Sequence, residues 1–129
     1  MKKKILIIAS NYYKKITDNL ILDSKKELIK NNYLATVKIV PGTFEIPVVI
    51  SRNINKYVGF IALGCVIKGQ TPHFEYLCSS TFNALQILSI NNKKPIGNGI
   101  ITCLNKKQAK IRSRLKGKES AIAVLRVLK

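Results

Sequence analysis

The chain has 129 residues, 47% of them hydrophobic, with 23 Lys and Arg against six Asp and Glu, a net charge of +17. That length suits one domain, 1–129, able to bury roughly two-thirds of its unfolded surface, and the apolar content excludes disorder. No apolar run approaches the roughly 20 residues of a membrane span, and three dispersed cysteines match neither a disulfide framework nor a zinc motif, so the expected setting is the cytoplasm, without membrane or metal.

Strand-like and helix-like pieces alternate. Lys4 to Ala9 reads as a first strand, Ser10 to Lys15 as a polar loop with two tyrosines, and Thr17 to about Asn31 as a helix closing at Asn31-Asn32. Ala35 to Val40 is a second strand, stopped by Pro41-Gly42. Glu45 to Ile50 is β-branched and strand-like by propensity. Parallel neighbours need a crossover of about a dozen residues, so Phe44 to Lys56 is expected as a helix with Pro47 in its first turn. Tyr57 to Ile67 is an apolar run typical of a strand buried on both faces. A helix from Pro72 to about Ser89 follows, then a glycine-interrupted strand from Pro95 to Cys103. Asn105 with Gln108 resembles a capping box for a last helix, which Gly117 is expected to break before Glu119 to Leu128 resumes it. The sum is βαβαβαβα, a three-layer α/β/α sandwich on a parallel four-stranded sheet.

The charge raises nucleic acid as a partner. Nineteen of the cations are lysine, however, and along the chain they look scattered rather than massed. No zinc-finger spacing, RNP-like aromatics or Gly-rich basic tail accompanies them, so no specific nucleic-acid partner is expected, only loose attraction to polyanions.

The chemistry concentrates in Ala62 to Tyr76, which holds the only histidine. After the buried strand, Lys68-Gly69-Gln70 breaks the run, and Thr71-Pro72 offers an N-cap and a first helical position. His73 then sits on the first helical turn, beside free backbone amides that favour an anion, beyond the carboxyl end of a strand. This pattern fits proton transfer on a phosphorylated substrate, and equally a histidine that only closes a helix.

Pro41-Gly42-Thr43-Phe44-Glu45-Ile46-Pro47, Ala62 to Gly69 and Thr71-Pro72-His73-Phe74-Glu75-Tyr76 resemble the signature blocks of the 6,7-dimethyl-8-ribityllumazine synthase family. Pro95-Ile96, Gly99 to Thr102, and Gln108-Ala109 with Arg112 resemble its later blocks, in order and over nearly the whole chain. The resemblance implies a flavodoxin-like sandwich that assembles as a homopentamer with active sites at subunit interfaces, in many members built further into a hollow shell. It implies condensation of two small-molecule substrates, 5-amino-6-(D-ribitylamino)uracil and 3,4-dihydroxy-2-butanone 4-phosphate, releasing phosphate and water, in riboflavin biosynthesis and without a cofactor.

Carried over residue by residue, the resemblance makes His73 the proton-transfer group. Gln70 and Thr71 form the phosphate-binding turn, and Arg112 supplies a planar fork of donors to the phosphate. Tyr12 matches a position that stacks on the pyrimidine, with loop packing as its other reading. Thr43, Phe44 and Glu45 match the ribityl-binding segment; without the family, Glu45 reads as a helix-start carboxylate. Cys65, Val66 and Ile67 match the strand end that binds the pyrimidine edge, and are core as well.

Three departures stand out. Asn98 replaces the usual phenylalanine that covers the pyrimidine from a neighbouring subunit. Asn11 and Lys68 stand where arginine is common. The stretch between Arg112 and Gly117 is shorter than in the family, with Lys116 as the candidate for its following lysine. The alternatives to an active synthase are a catalytically decayed pentameric scaffold and a basic polyanion-binding protein.

Overall fold

The computed structural model describes residues 2–129. Four strands, β1 (Lys4–Ser10), β2 (Leu34–Val40), β3 (Gly59–Ile67) and β4 (Ile96–Cys103), form one parallel sheet in the order β2-β1-β3-β4. Helices α1 (Lys14–Lys30), α2 (Ile46–Arg52) and α3 (His73–Asn92) provide the crossovers, and α4 (Lys106–Leu128) follows the last strand. The register runs Ile7 opposite Val37 and Ile61, and Ala62 opposite Asn98.

Alternation along each strand sorts the side chains into two cores. Ile5, Ile7, Ala9, Ile61, Leu63, Cys65, Ile101 and Cys103 point to the side covered by α1 and α4, through Leu20, Leu28, Ala109, Ala121 and Val124. Leu6, Ile8, Phe60, Ala62 and Ile100 point to the other, where Ile46, Ile50 and Leu85 of α2 and α3 meet them. The three-layer α/β/α architecture is therefore as the periodicity implied.

Several boundaries differ, each for a physical reason. The first helix begins at Lys14, not Thr17, because Thr17 N–H already donates to Tyr13 O at 3.0 Å and Lys14 pairs with Asp18 one turn on, at 2.7 Å. It ends as expected: Asn31 Nδ2 donates to Glu27 O and Asn32 takes the left-handed conformation at φ 71°. The crossover after β2 is helical, though shorter than Phe44 to Lys56. A 3₁₀ turn at Thr43–Glu45 leads into α2, which stops at Arg52, and Tyr57 and Val58 lie outside β3.

The expected break at Gly117 is wrong. Helix α4 runs unbroken, and Gly117 lies buried against α1, where a Cβ would run into the Leu20 carbonyl. Glycine costs roughly 1 kcal/mol of helix propensity there, and the close approach of the two helices is what it permits. Gly97 does the same under α4, since a Cβ would lie 2.5 Å from Ser120 O. Asn105 caps α4 as expected: its Oδ1 accepts from Gln108 N at 2.9 Å. Gln108 Oε1 reaches back to Leu104 N at 2.8 Å, one residue beyond the box geometry.

Candidate active site

The carboxyl ends of β1, β2 and β3 lie side by side, and the loops that leave them carry most of the expected site residues. After β1, Tyr12 projects with 76% of its surface exposed, its ring edge-on to Tyr13 at 4.9 Å. The contact with Tyr13 is loop packing, and the rest of the ring is open to solvent.

Beyond β2, Thr43 is buried and its hydroxyl lies 3.5 Å from Ser10 Oγ. The space for that meeting is left by Gly64 on β3, whose Cβ would overlap Ser10 Oγ. Thr43 is thus held from below, while Phe44 beside it is 71% exposed and Glu45 partly buried. Phe44, Glu45, Pro47, Val48, Ser80, Thr81 and Ala84 border a hollow against α3.

At the end of β3, Cys65 and Ile67 turn toward the α1 and α4 side and Val66 toward the other. The turn that follows leaves Lys68, Gln70, Thr71 and His73 exposed. Helix α3 begins at His73 rather than Pro72, and Thr71 Oγ1 accepts the His73 N–H at 3.4 Å. The expected N-cap at Thr71 is therefore one residue off: Pro72 holds that position without a side-chain cap, and the first-turn amides remain available to an anion. Lys68 Nζ lies 3.7 Å from Glu75 Oε1, so this cation is held over the same turn.

Arg112 and Asn98 sit elsewhere. Arg112, on the second turn of α4, is anchored through Nη1 to Thr102 O at the end of β4. It borders a cleft with Ile100, Ile101, Thr102, Ile111, Leu115, Lys116 and Glu119 that does not include His73. Lys116 is thus in the Arg112 cleft. Asn98 is exposed on the edge strand β4, where its Oδ1 accepts from Ile100 N at 3.1 Å. One chain thus places the Tyr12, Thr43–Glu45 and His73 loops beyond β1, β2 and β3, Arg112 in the cleft beside β4, and Asn98 apart from that cleft on the edge strand.

Beneath the loops lie three ionisable groups, of which motif reading singled out only Cys65. Burial and the neighbouring Cys103 thiol push the Cys65 thiol up to about 12. Burial also raises Cys103, although Arg112 beside it pulls the other way. Tyr13 is raised by burial and by its neighbours Tyr12 and Cys65. Both thiols stay protonated at neutral pH and serve as packing, not as nucleophiles. The signal for Ser10 was a small polar residue ending an apolar strand, which becomes legible only once Gly64 is known to lie beside it. Among the described residues no group of three or more His, Cys, Asp or Glu could hold a metal, and no helix is long and apolar enough to cross a membrane.

The family model for 6,7-dimethyl-8-ribityllumazine synthase matches residues 2–129. Proteins named 6,7-dimethyl-8-ribityllumazine synthase are similar over most of their length. That of Bartonella tribocorum is 40% identical over 114 residues, covering 84% of this chain and 76% of the relative. Those of Corynebacterium kroppenstedtii and Methylobacterium radiotolerans are 34% and 37% identical, covering 95% and 97% of this chain and 80% of each relative.

Proposed function

The chain belongs to the 6,7-dimethyl-8-ribityllumazine synthase family, and from that premise we infer that it is the transferase of riboflavin biosynthesis. It condenses 5-amino-6-(D-ribitylamino)uracil with 3,4-dihydroxy-2-butanone 4-phosphate and releases phosphate and water. The observation that carries this reading is the match along the whole described chain, joined to loops that gather an exposed His73 and an open helix start at one end of the sheet.

The chemistry asks for orientation and proton movement more than for a special nucleophile. The amine of the pyrimidine attacks the ketone, water leaves to give a Schiff base, phosphate is eliminated, and the ring closes with loss of a second water. In our reading the Gln70 and Thr71 amides at the start of α3 hold the phosphate, where helix geometry favours an anion. Arg112 adds its planar donors. His73, on the first turn, moves protons beside the carbon that loses phosphate. Thr43, Phe44 and Glu45 receive the ribityl chain, and the Cys65–Ile67 backbone the pyrimidine edge. Tyr12 stacks on the ring; Asn98 reaches it with a hydrogen-bonding amide in place of an aromatic face.

The active unit is a homopentamer whose sites form between subunits, with Arg112 and Asn98 of one copy meeting the His73 loops of the next. The placement of Arg112 in a cleft that does not include His73 supports this, as do Phe44, Val48, Tyr76, Ile87 and Ile90, large apolar residues left exposed on the α2 and α3 side. Three buried free thiols accord with a cytoplasmic setting.

The test is lumazine formation from the two substrates, followed by absorbance against an enzyme-free control. His73→Ala is expected to lower the rate at least about 10²-fold, the usual loss on removing a general acid or base. Arg112→Ala is expected to raise KM for the phosphorylated ketone. Mixing the two variants under reassembly conditions, at a ketone concentration well below the raised KM, is expected to restore part of the rate. No protein-dependent rate in the wild type overturns the function, and no recovery on mixing overturns the shared site.

A further inference from the structure

The cations that look scattered along the chain are gathered by the fold onto one face. Helix α4 carries Lys106, Lys107, Lys110, Arg112, Arg114, Lys116, Lys118 and Arg126 against a single acid, Glu119. On the same side, α1 adds Lys14, Lys15, Lys25, Lys26 and Lys30 against Asp18, Asp23 and Glu27. The opposite layer has Arg52 in α2 and no cation in α3.

Within the basic face the arrangement is regular. Lys106, Lys110, Arg114 and Lys118 recur every fourth residue, all exposed, forming a row along one stripe of α4. At 1.5 Å per residue the row spans about 18 Å. Its lower end opens into a groove between α1 and α4 bounded by Asp23, Lys26, Glu27, Lys30, Arg114 and Lys118, with Ile29 at its side. Four cations there face two carboxylates. Glu27 is engaged by Asn31 Nδ2 at 3.1 Å, and no cation of the row or groove forms a salt bridge among the described residues.

We propose that this row and groove form a sequence-independent binding track for the phosphodiester backbone of single-stranded nucleic acid. An isolated row of unpaired like charges is unfavourable until counterions or a polyanion neutralise it, and release of those counterions drives such binding. The groove's walls present no aromatic ring on which bases could stack, so base identity goes unread. Like charge also disfavours packing of this row against the same row of another copy.

The experiment measures fluorescence anisotropy of a labelled 20-nucleotide polyuridine with the wild-type protein from 50 to 200 mM salt. One variant replaces the row with glutamine (Lys106→Gln, Lys110→Gln, Arg114→Gln, Lys118→Gln). A control removes as many exposed cations elsewhere (Lys3→Gln, Lys38→Gln, Lys56→Gln, Lys93→Gln). Lumazine formation is followed in both as a check that the fold survives, since none of these eight residues belongs to the catalytic machinery. Single strands contribute about −0.7 to the slope of log K against log salt for each phosphate neutralised, so loss of the row is expected to flatten the slope by nearly 3 units. The control is expected to change it by less than about 1. No wild-type binding at 50 mM salt, or equal losses in the two variants, overturns the track. So does tighter, row-dependent capture by a duplex or by phosphatidylserine vesicles.

Discussion

On one side of the sheet, α1 and α4 approach so closely that Gly117 leaves no room for a methyl group, and their outer surfaces carry most of the cations. On the other side, the seven-residue α2 and the long α3 cover the sheet with almost no charge and leave Phe44, Val48, Tyr76, Ile87 and Ile90 bare. Both layers leave large apolar residues exposed, with Leu22, Ile29, Ile111, Leu115 and Val127 on the first, but only on the second do they lie among few like charges. The difference teaches where a chain of +17 can bury apolar surface with the least self-repulsion: on the neutral layer rather than the basic one.

The strongest way to break that comparison is to charge the neutral layer. Ile87→Glu with Ile90→Glu is expected to shift sedimentation to smaller species and remove lumazine formation. Leu22→Glu with Val127→Glu, equally exposed positions of the basic layer, is expected to leave both intact. If the two pairs behave alike, the layers are not specialised. Next in size, Gly117→Val is expected to cost about 3 kcal/mol in urea unfolding, because the helices must part to admit it. Ala84→Val in α3, where no such approach exists, is expected to cost under about 1 kcal/mol.

Alkaline titration sharpens the contrast between the two cores. The folded Cys65 thiol stays protonated above the pH at which the unfolded one ionises. Folded molecules then hold more protons, and stability is expected to fall as pH rises from 9 through about 12. Unfolding followed by far-ultraviolet dichroism in Cys65→Ala is expected to show a flatter decline. Cys78→Ala, on the α3 side, is expected to flatten it less, since that thiol is raised mainly by partial burial and then by Glu75. The smallest effects are the caps. Asn105→Ala is expected to cost about 1 kcal/mol and Thr71→Ala a few tenths, in line with their hydrogen bonds of 2.9 and 3.4 Å. Thermal melts that rank them the other way would show that α3 depends on its N-terminus more than α4 does.

How much of this was legible beforehand depended on distance along the chain. Strand alternation, the Asn31-Asn32 stop and the Asn105 cap are local and were readable. The β-branched run at Glu45 to Ile50 was resolved as helix only by the need for a crossover, and its short length was invisible because Arg52 to Tyr57 carries no stop stronger than its asparagines. Gly117 reads as a breaker wherever its neighbour is unknown, and its neighbour, Leu20, is nearly a hundred positions away. The same holds for charge: α1 and α4 are remote in sequence, so their cations look dispersed until the sheet brings the helices together. For the site, motifs supplied His73, Thr43 and Arg112, but not that Arg112 lies in a cleft that does not include His73. Nor did they reveal that Ser10 supports Thr43 through the space left by Gly64.

The joint cover provided by α1 and α4 also sets a timetable for synthesis. Ile5, Ile7, Ile61, Leu63 and Ile101 line one face of the sheet, and α4, which completes their cover, follows all of them in the chain. A ribosome that has delivered all four strands still holds α4 in its tunnel, so the nascent sheet waits with one greasy side half open to water. Until Lys106 and its successors emerge, that surface is the kind that chaperones grasp and that misfolded neighbours share.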